Sequence, residues 1–75
     1  MFDPGYDFFL QIVEAESISA AARNSRVSVA SLSKRLARLE QRLGPRLIHR
    51  ATRRLALTAA GQELRDTLLP LRASL

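Results

Sequence analysis

Seventy-five residues with a formal net charge of +5 and no cysteine leave room for one small domain. They exclude a disulfide framework, a thiolate metal site and a cysteine nucleophile. No apolar run reaches the roughly 20 residues a spanning helix needs, and the opening residues suggest no secretory leader. A core this small is marginal, so a partner subunit would help. Residues 1–16 carry Asp3, Asp7, Glu14 and Glu16 and no Lys or Arg. Residues 17–62 carry Arg23, Arg26, Lys34, Arg35, Arg38, Arg42, Arg46, Arg50, Arg53 and Arg54 against Glu40. Positive charge gathered in this way points to a polyanion-facing surface.

Asp3-Pro4 predicts a helix start, with Asp as the cap and Pro at the first helical position, where no amide is lost. Tyr6, Phe9, Ile12 and Val13 carry a helical period to about Ala15. Phe8 and Phe9 are neighbours, so only one of them can point into a given core. The acidic character of this segment predicts a packing helix that lies away from phosphate. Ser17 caps a second, short helix from Ile18 to about Asn24, whose Ala20, Ala21 and Ala22 let another helix approach closely. Asn24-Ser25-Arg26 reads as a turn, with Val27 stapling it down.

The third helix runs over about residues 28–43. Ser28 is its cap and Gly44 its end. Leu32, Leu36, Leu39 and Leu43 share one face. Lys34, Arg38 and Gln41 fall on the opposite face, with Arg35 and Arg42 on the flank. A short helix, a tight turn and a longer helix with a basic outer face make a helix-turn-helix, at about residues 18–37. In that motif the N-terminal residues of the second helix reach base edges in the major groove.

After Gly44-Pro45 the period changes. Leu47-Ile48-His49-Arg50 and Leu55-Ala56-Leu57 flank Ala51-Thr52-Arg53-Arg54, which predicts a small hairpin at about residues 47–57 with a basic tip. Thr58 caps a final helix. Its Leu64, Leu68, Leu71 and Leu75 form a stripe with nothing left to pack on in so short a chain, which suggests self-association. Pro70 predicts an end near Leu69 or a kink.

Taken in order, these residues carry a resemblance. Phe9 stands eight residues before Ser17, and Ser17-Ile18-Ser19-Ala20-Ala21-Ala22 is similar to a Ser-Phe-Thr-x-Ala-Ala motif. Val27-Ser28, Ser33, Leu39-Glu40 and Leu43-Gly44 follow. Leu47-Ile48-His49-Arg50 is similar to Leu-Phe-x-Arg, and Leu57-Thr58-Ala59-Ala60-Gly61 to Leu-Thr-x-Ala-Gly. Over roughly residues 6–64 the set resembles the N-terminal DNA-binding domain of LysR-type transcriptional regulators. The resemblance implies a mainly α, winged helix-turn-helix fold over residues 1–58, with residues 59–75 a linker and dimerisation helix. Val29-Ala30 stand where the family often has Gln-Pro, Ser25 replaces a usual leucine and so weakens packing between the second and third helices, and Ile48 replaces a usual Phe. The family's longer C-terminal effector-binding domain is absent from this sequence.

Residue roles follow. Lys34, Arg35 and Arg38 neutralise phosphates or grip guanine edges, which Arg does with two donors. Ser28, Ser31 and Ser33 donate to phosphate oxygens, and Val29 and Ala30 offer apolar contact to a thymine methyl. Arg53 and Arg54 enter the adjacent minor groove. By resemblance Arg50 is the wing arginine, on the DNA backbone or bracing the wing. Arg42 favours the helix dipole, and Glu40 is an internal ion-pair partner. Leu64, Leu68, Leu71 and Leu75 are the candidate dimerisation residues.

His49 is the only histidine and has no acid beside it, no Gly-rich phosphate loop is present, and one His without Cys cannot make the usual zinc set. An enzyme, a cofactor and a bound metal are therefore not expected. A membrane role would take the leucine face needed for the core, and an RNA reader would want aromatic platforms outside the acidic segment. The resulting expectation is a non-enzymatic, sequence-specific binder of double-stranded DNA. It would take a pseudo-palindromic site as a homodimer, with a tetramer open to a full-length protein. The bacterial cytoplasm and nucleoid are its implied location, and a small-molecule effector would act only through the missing domain. The alternative is a dimerisation or protein-interaction module without specific DNA binding.

Overall fold

A computed structural model of the chain describes residues 2–49 and 54–74. Each of the four helices starts on a capping side chain. Asp3 Oδ1 accepts from the amides of Gly5 and Tyr6 at 2.8 and 3.4 Å, and Pro4 is the first residue of α1 (Pro4–Ala15). Ser17 Oγ accepts from Ala20 N at 2.9 Å and opens α2 (Ile18–Ser25). Ser28 Oγ accepts from Ser31 N at 3.0 Å and opens α3 (Val29–Leu43). Thr58 Oγ1 accepts from Gly61 N at 3.0 Å and opens α4 (Ala59–Ala73). At the other ends, Glu16 and Arg26 turn the chain in the left-handed region, at φ 62° and 57°. Gly44 does so at φ 109°, with its amide on the Glu40 carbonyl at 2.7 Å.

Helix α1 is the hub of the fold, touching α2, α3 and α4. Its Phe9, Leu10 and Ile12 share one core with Ala21 and Ala22 of α2, Leu32, Leu36 and Leu39 of α3, and Leu68 of α4. Burial of a large apolar side chain contributes about 1.5–3 kcal/mol, so this cluster supplies most of the driving force a chain of this length has. The alanines do what their size suggests and let α2 sit close. Val27 donates its amide to the Ala22 carbonyl at 3.1 Å and packs on the core, closing the turn between α2 and α3.

The segment after α3 is held by its backbone. Leu47 N donates to the buried carboxylate of Glu40 at 2.8 Å, and Leu47 O accepts from Thr58 N at 3.0 Å. Thr58 Oγ1 also donates to Arg46 O at 2.5 Å. Ile48 forms an antiparallel bridge with Leu57, and His49 N donates to Ala56 O at 2.8 Å, so the two arms of the expected wing pair at its base. Its tip, with Arg50, Ala51, Thr52 and Arg53, lies outside the described residues, as does Leu75.

Three expectations need correction. The leucine stripe of α4 is not left without packing: Leu68 is buried in the core and Leu64 packs against it, leaving Leu71 exposed. Leu43 is 37% exposed, on the rim of an open groove with Pro45, Leu47 and α4 rather than in the core. Of the two outcomes expected at Pro70, an end of α4 near Leu69 does not occur, since the helix continues to Ala73. Buried Leu68 before the proline, and beyond it an Arg72 guanidinium bound to Glu14 of α1 through two contacts of 2.8 and 2.7 Å, hold the helix on both sides of the missing amide. Ser25, which stands where the family usually has leucine, bonds α1: its hydroxyl donates to Gln11 Oε1 at 2.5 Å, and Gln11 Nε2 donates to Asp7 at 2.9 Å.

Gly61 is where α4 comes nearest to the wing base. A Cβ there would lie 2.0 Å from the Leu47 carbonyl oxygen, an impossible approach. Gly61→Ala must push α4 off Leu47, and overpacking of this kind costs about 1–3 kcal/mol or more. A urea titration followed by circular dichroism should show that loss; an unchanged midpoint would mean α4 can shift freely.

Candidate nucleic-acid interface

Helix α3 is displayed by what lies beneath it. With Leu32, Leu36, Leu39 and the Glu40 carboxylate facing inward, the 3.6-residue period puts Ala30, Lys34, Ala37, Arg38 and Gln41 on the outer face, with Ser33 at its inner margin. All of these are exposed except Ser33, which is half-buried. Val29, the first helical residue, is 47% exposed, a large apolar side chain with no cover at the leading end of the helix. Ser28 spends its oxygen lone pair on the cap and keeps its own proton to donate. The first amides of α3 have no intrahelical acceptor and carry the positive end of the dipole. This end of α3 therefore combines donors, apolar surface and Lys34.

A second surface runs along the flank towards α1, where Ser31, Arg35, Arg38 and Arg42 follow each other at steps of four, three and four. Pro4, Gly5, Phe8 and Leu39 join Arg35, Arg38 and Arg42 around an open cleft of about 410 Å³. The Arg35 guanidinium lies over the Phe8 ring, 4.3 Å from its centre. That is where the second of the two adjacent phenylalanines goes: Phe9 into the core, Phe8 under a cation. Arg42 bonds Asp3 Oδ1 at 3.1 Å and lies 5.6 Å from the centre of the Tyr6 ring. The acidic first helix thus borders the basic flank rather than standing clear of it, with Asp3 paired.

The structure therefore divides the expected contact residues. Ser28, Val29, Ala30, Ser33 and Lys34 gather at the leading end and outer face of α3, and Ser31, Arg35 and Arg38 on its α1 flank. Arg54, next to the wing base, is exposed, and Arg50 and Arg53 lie outside the described residues. Sequence reasoning missed Phe8 and the Asp3–Arg42 pair. The signal for Phe8 was present, an aromatic that could not share the core with Phe9, but its partner is distant in sequence. Among the described residues no group of three or more His, Asp or Glu could hold a metal ion, and no helix is long and apolar enough to cross a membrane.

Comparison with known proteins agrees with this geometry. A family model described as a bacterial regulatory helix-turn-helix protein, lysR family, matches residues 6–62. The probable HTH-type transcriptional regulator LtrA of Klebsiella pneumoniae is 38% identical over 61 residues, which cover 81% of this chain and 20% of that protein. An HTH-type transcriptional regulator of Xanthomonas campestris is 45% identical over 53 residues, 71% of this chain and 15% of that protein. The chain thus spans a fifth or less of the length of these relatives. Among solved structures, the full-length virulence activator AphB of Vibrio cholerae matches 99% of this chain and 26% of its own, with a TM-score of 0.90 at 30% identity. The BenM DBD in complex with catB site 1 DNA matches 99% of this chain and 83% of its own, with a TM-score of 0.89 at 26% identity.

Two ion pairs tie the acidic helix to its neighbours. The Arg42 guanidinium holds the Asp3 carboxyl below its ordinary value of 3.8, and the Arg72 guanidinium holds Glu14 below 4.5. Glu14 in turn pushes Arg72 up. Depressed carboxylate values mean stability that is fully present above the ordinary values and lost as pH falls through the depressed ones. Both pairs are largely exposed, so the effect is small and screened by salt. Thermal melts at low salt should fall as pH drops below about 4.5, less steeply for Glu14→Gln than for the parent. Equal slopes would show that the Glu14–Arg72 pair contributes nothing to the acid response.

Proposed function

This chain belongs to the LysR family of bacterial helix-turn-helix regulatory proteins, and from that premise we propose that it is a sequence-specific DNA-binding domain of a transcriptional regulator. The observation that carries the reading is the uncovered leading end of α3, with Val29, Ala30, Ser33 and Lys34 raised on a buried leucine face. A helix of about 10–12 Å diameter fits a major groove about 12 Å wide, and this end would enter first. Lys34 supplies the cation at the groove floor, Val29 and Ala30 apolar contact to thymine methyls, and Ser28, Ser31 and Ser33 donors for phosphate. Arg53 and Arg54 of the wing are assigned to the flanking minor groove, and Arg50 to the DNA backbone or to bracing the wing.

The same reading takes the protein as a homodimer on a pseudo-palindromic duplex, joined through α4. Leu71 is the strongest candidate for that seam, being 53% exposed, whereas Leu68 is already used within the chain. Leu64 lines an open apolar groove with Leu43, Pro45, Leu47 and Ala60, which extends the surface a partner would cover. A small-molecule effector, a tetramer and a place in the bacterial cytoplasm on the nucleoid belong to a longer protein of the kind the relatives represent. The groove also favours a second reading, a dimerisation module with no specific affinity for DNA.

Anisotropy of a labelled random-sequence duplex, titrated across a salt series, tests the main reading. Log affinity should fall linearly with log salt, with a slope of about −0.9 for each phosphate neutralised. Lys34→Glu should abolish binding at moderate salt while sedimentation of the protein is unchanged. No binding by the parent even at low salt would leave only the dimerisation module. A separate measurement addresses α4: Leu71→Asp should shift sedimentation towards monomer while the helical signal is kept, and a parent already monomeric at high concentration would remove the dimer from the proposal.

A further inference from the structure

The flank of α3 that faces α1 offers a more specific assignment, one that rests on the DNA reading. A helix that fills the major groove points its outermost side chains at base edges and its flanks at the walls, which are lined by phosphates. Ser31, Arg35 and Arg38 lie on such a flank, spread over about 10 Å of helix at 1.5 Å per residue. Among the described residues neither Arg35 nor Arg38 meets a carboxylate, whereas Arg42 beside them is bonded to Asp3. Among the described residues the cleft between α1 and α3 therefore presents two cations one turn apart without a carboxylate partner, beside Arg42, which is paired with Asp3 at the cleft's edge.

We infer that Phe8 is the positioning residue of this flank: its ring holds the Arg35 guanidinium in the cleft, beside Arg38, where it binds a backbone phosphate rather than a base. The Phe8 ring is half-buried by α1 packing and so is a fixed floor. The Arg35 guanidinium carbon is 4.3 Å from the ring centre, and a cation held over an aromatic face by its π-system still has N–H donors to offer oxygens beyond the ring. A guanidinium held against α1 is turned away from the outermost line of Ala30, Lys34 and Ala37, where base edges would lie. Arg35 then contributes to affinity on every sequence alike, and sequence choice falls to the leading end of α3. An unstacked arginine would have to be ordered at the moment of binding; the ring removes part of that entropy beforehand.

The test is a double-mutant cycle on the 75-residue chain, using the random-sequence duplex and a second duplex selected for tight binding, both across the salt series. Arg35→Gln should weaken both duplexes by the same factor and reduce the magnitude of the salt slope by about 0.9, one phosphate's worth. Phe8→Leu should reproduce part of that loss on both duplexes and add nothing in the Arg35→Gln background. Phe8→Tyr, which restores a ring, should restore affinity. Should Phe8→Leu fail to fold, Arg35→Lys carries the same argument, because it keeps the charge and loses the planar stack. The inference is overturned if Phe8→Leu and Arg35→Gln act independently, if Phe8→Leu leaves affinity unchanged, or if Arg35→Gln alters the preference between the duplexes. Absence of binding by the parent protein is a different result, and overturns the DNA reading itself.

Discussion

The main-chain N–H and carbonyl of Leu47 join α3 to the start of α4. The N–H goes to the buried Glu40 carboxylate at the end of α3, and the carbonyl takes the Thr58 amide at the start of α4. The same carbonyl closes off the space where Gly61 would carry a side chain. A single backbone unit thus fixes the recognition helix, the base of the wing and the last helix relative to one another. A carboxylate buried in so small a core would be costly if it were left without donors. Here an obligatory backbone donor meets it, and the demand that the chain leave α3 in one direction meets the demand that Glu40 be satisfied.

Around that junction the fold is a division of labour between faces. Helix α1 gives its apolar side to the core and its N-terminal turn to the cleft beside α3. Helix α3 gives leucines inward, arginines towards α1, and a mixed polar and apolar leading end to the outside. The Asp3–Arg42 pair neutralises the acid nearest the basic flank, and Glu14–Arg72 ties a second acid to α4. A strongly basic surface can then form next to an acidic helix.

Much of this was legible in the residues because it is local. Asp3, Ser17, Ser28 and Thr58 cap the helices they precede, and Gly44 ends α3, since a cap needs only a side-chain oxygen or a left-handed residue within a few positions. The leucine period of α3 placed its core face and so its outer face. What was not legible depends on meetings between distant segments. The continuation of α4 past Pro70 needs Leu68 and Arg72 to be anchored on α1, and no local rule carries that. The burial of the α4 stripe needs α1 to offer a surface beyond the one α2 and α3 cover. Phe8 was recognisable as an aromatic without a core position, but only the fold shows Arg35 above it.

The Leu47 junction also determines which positions are free to drift. Both polar groups that residue 47 contributes belong to the main chain, so any apolar side chain that fills the same space keeps both bonds. The obligations fall on the partners. Residue 40 must bring a carboxylate-like acceptor, residue 58 must bring both a hydroxyl for its cap and an amide for Leu47, and residue 61 must bring no side chain at all. Selection acting on this junction should therefore be on chemistry at Glu40, Thr58 and Gly61 and only on apolar volume at Leu47, whose side chain is buried in the core.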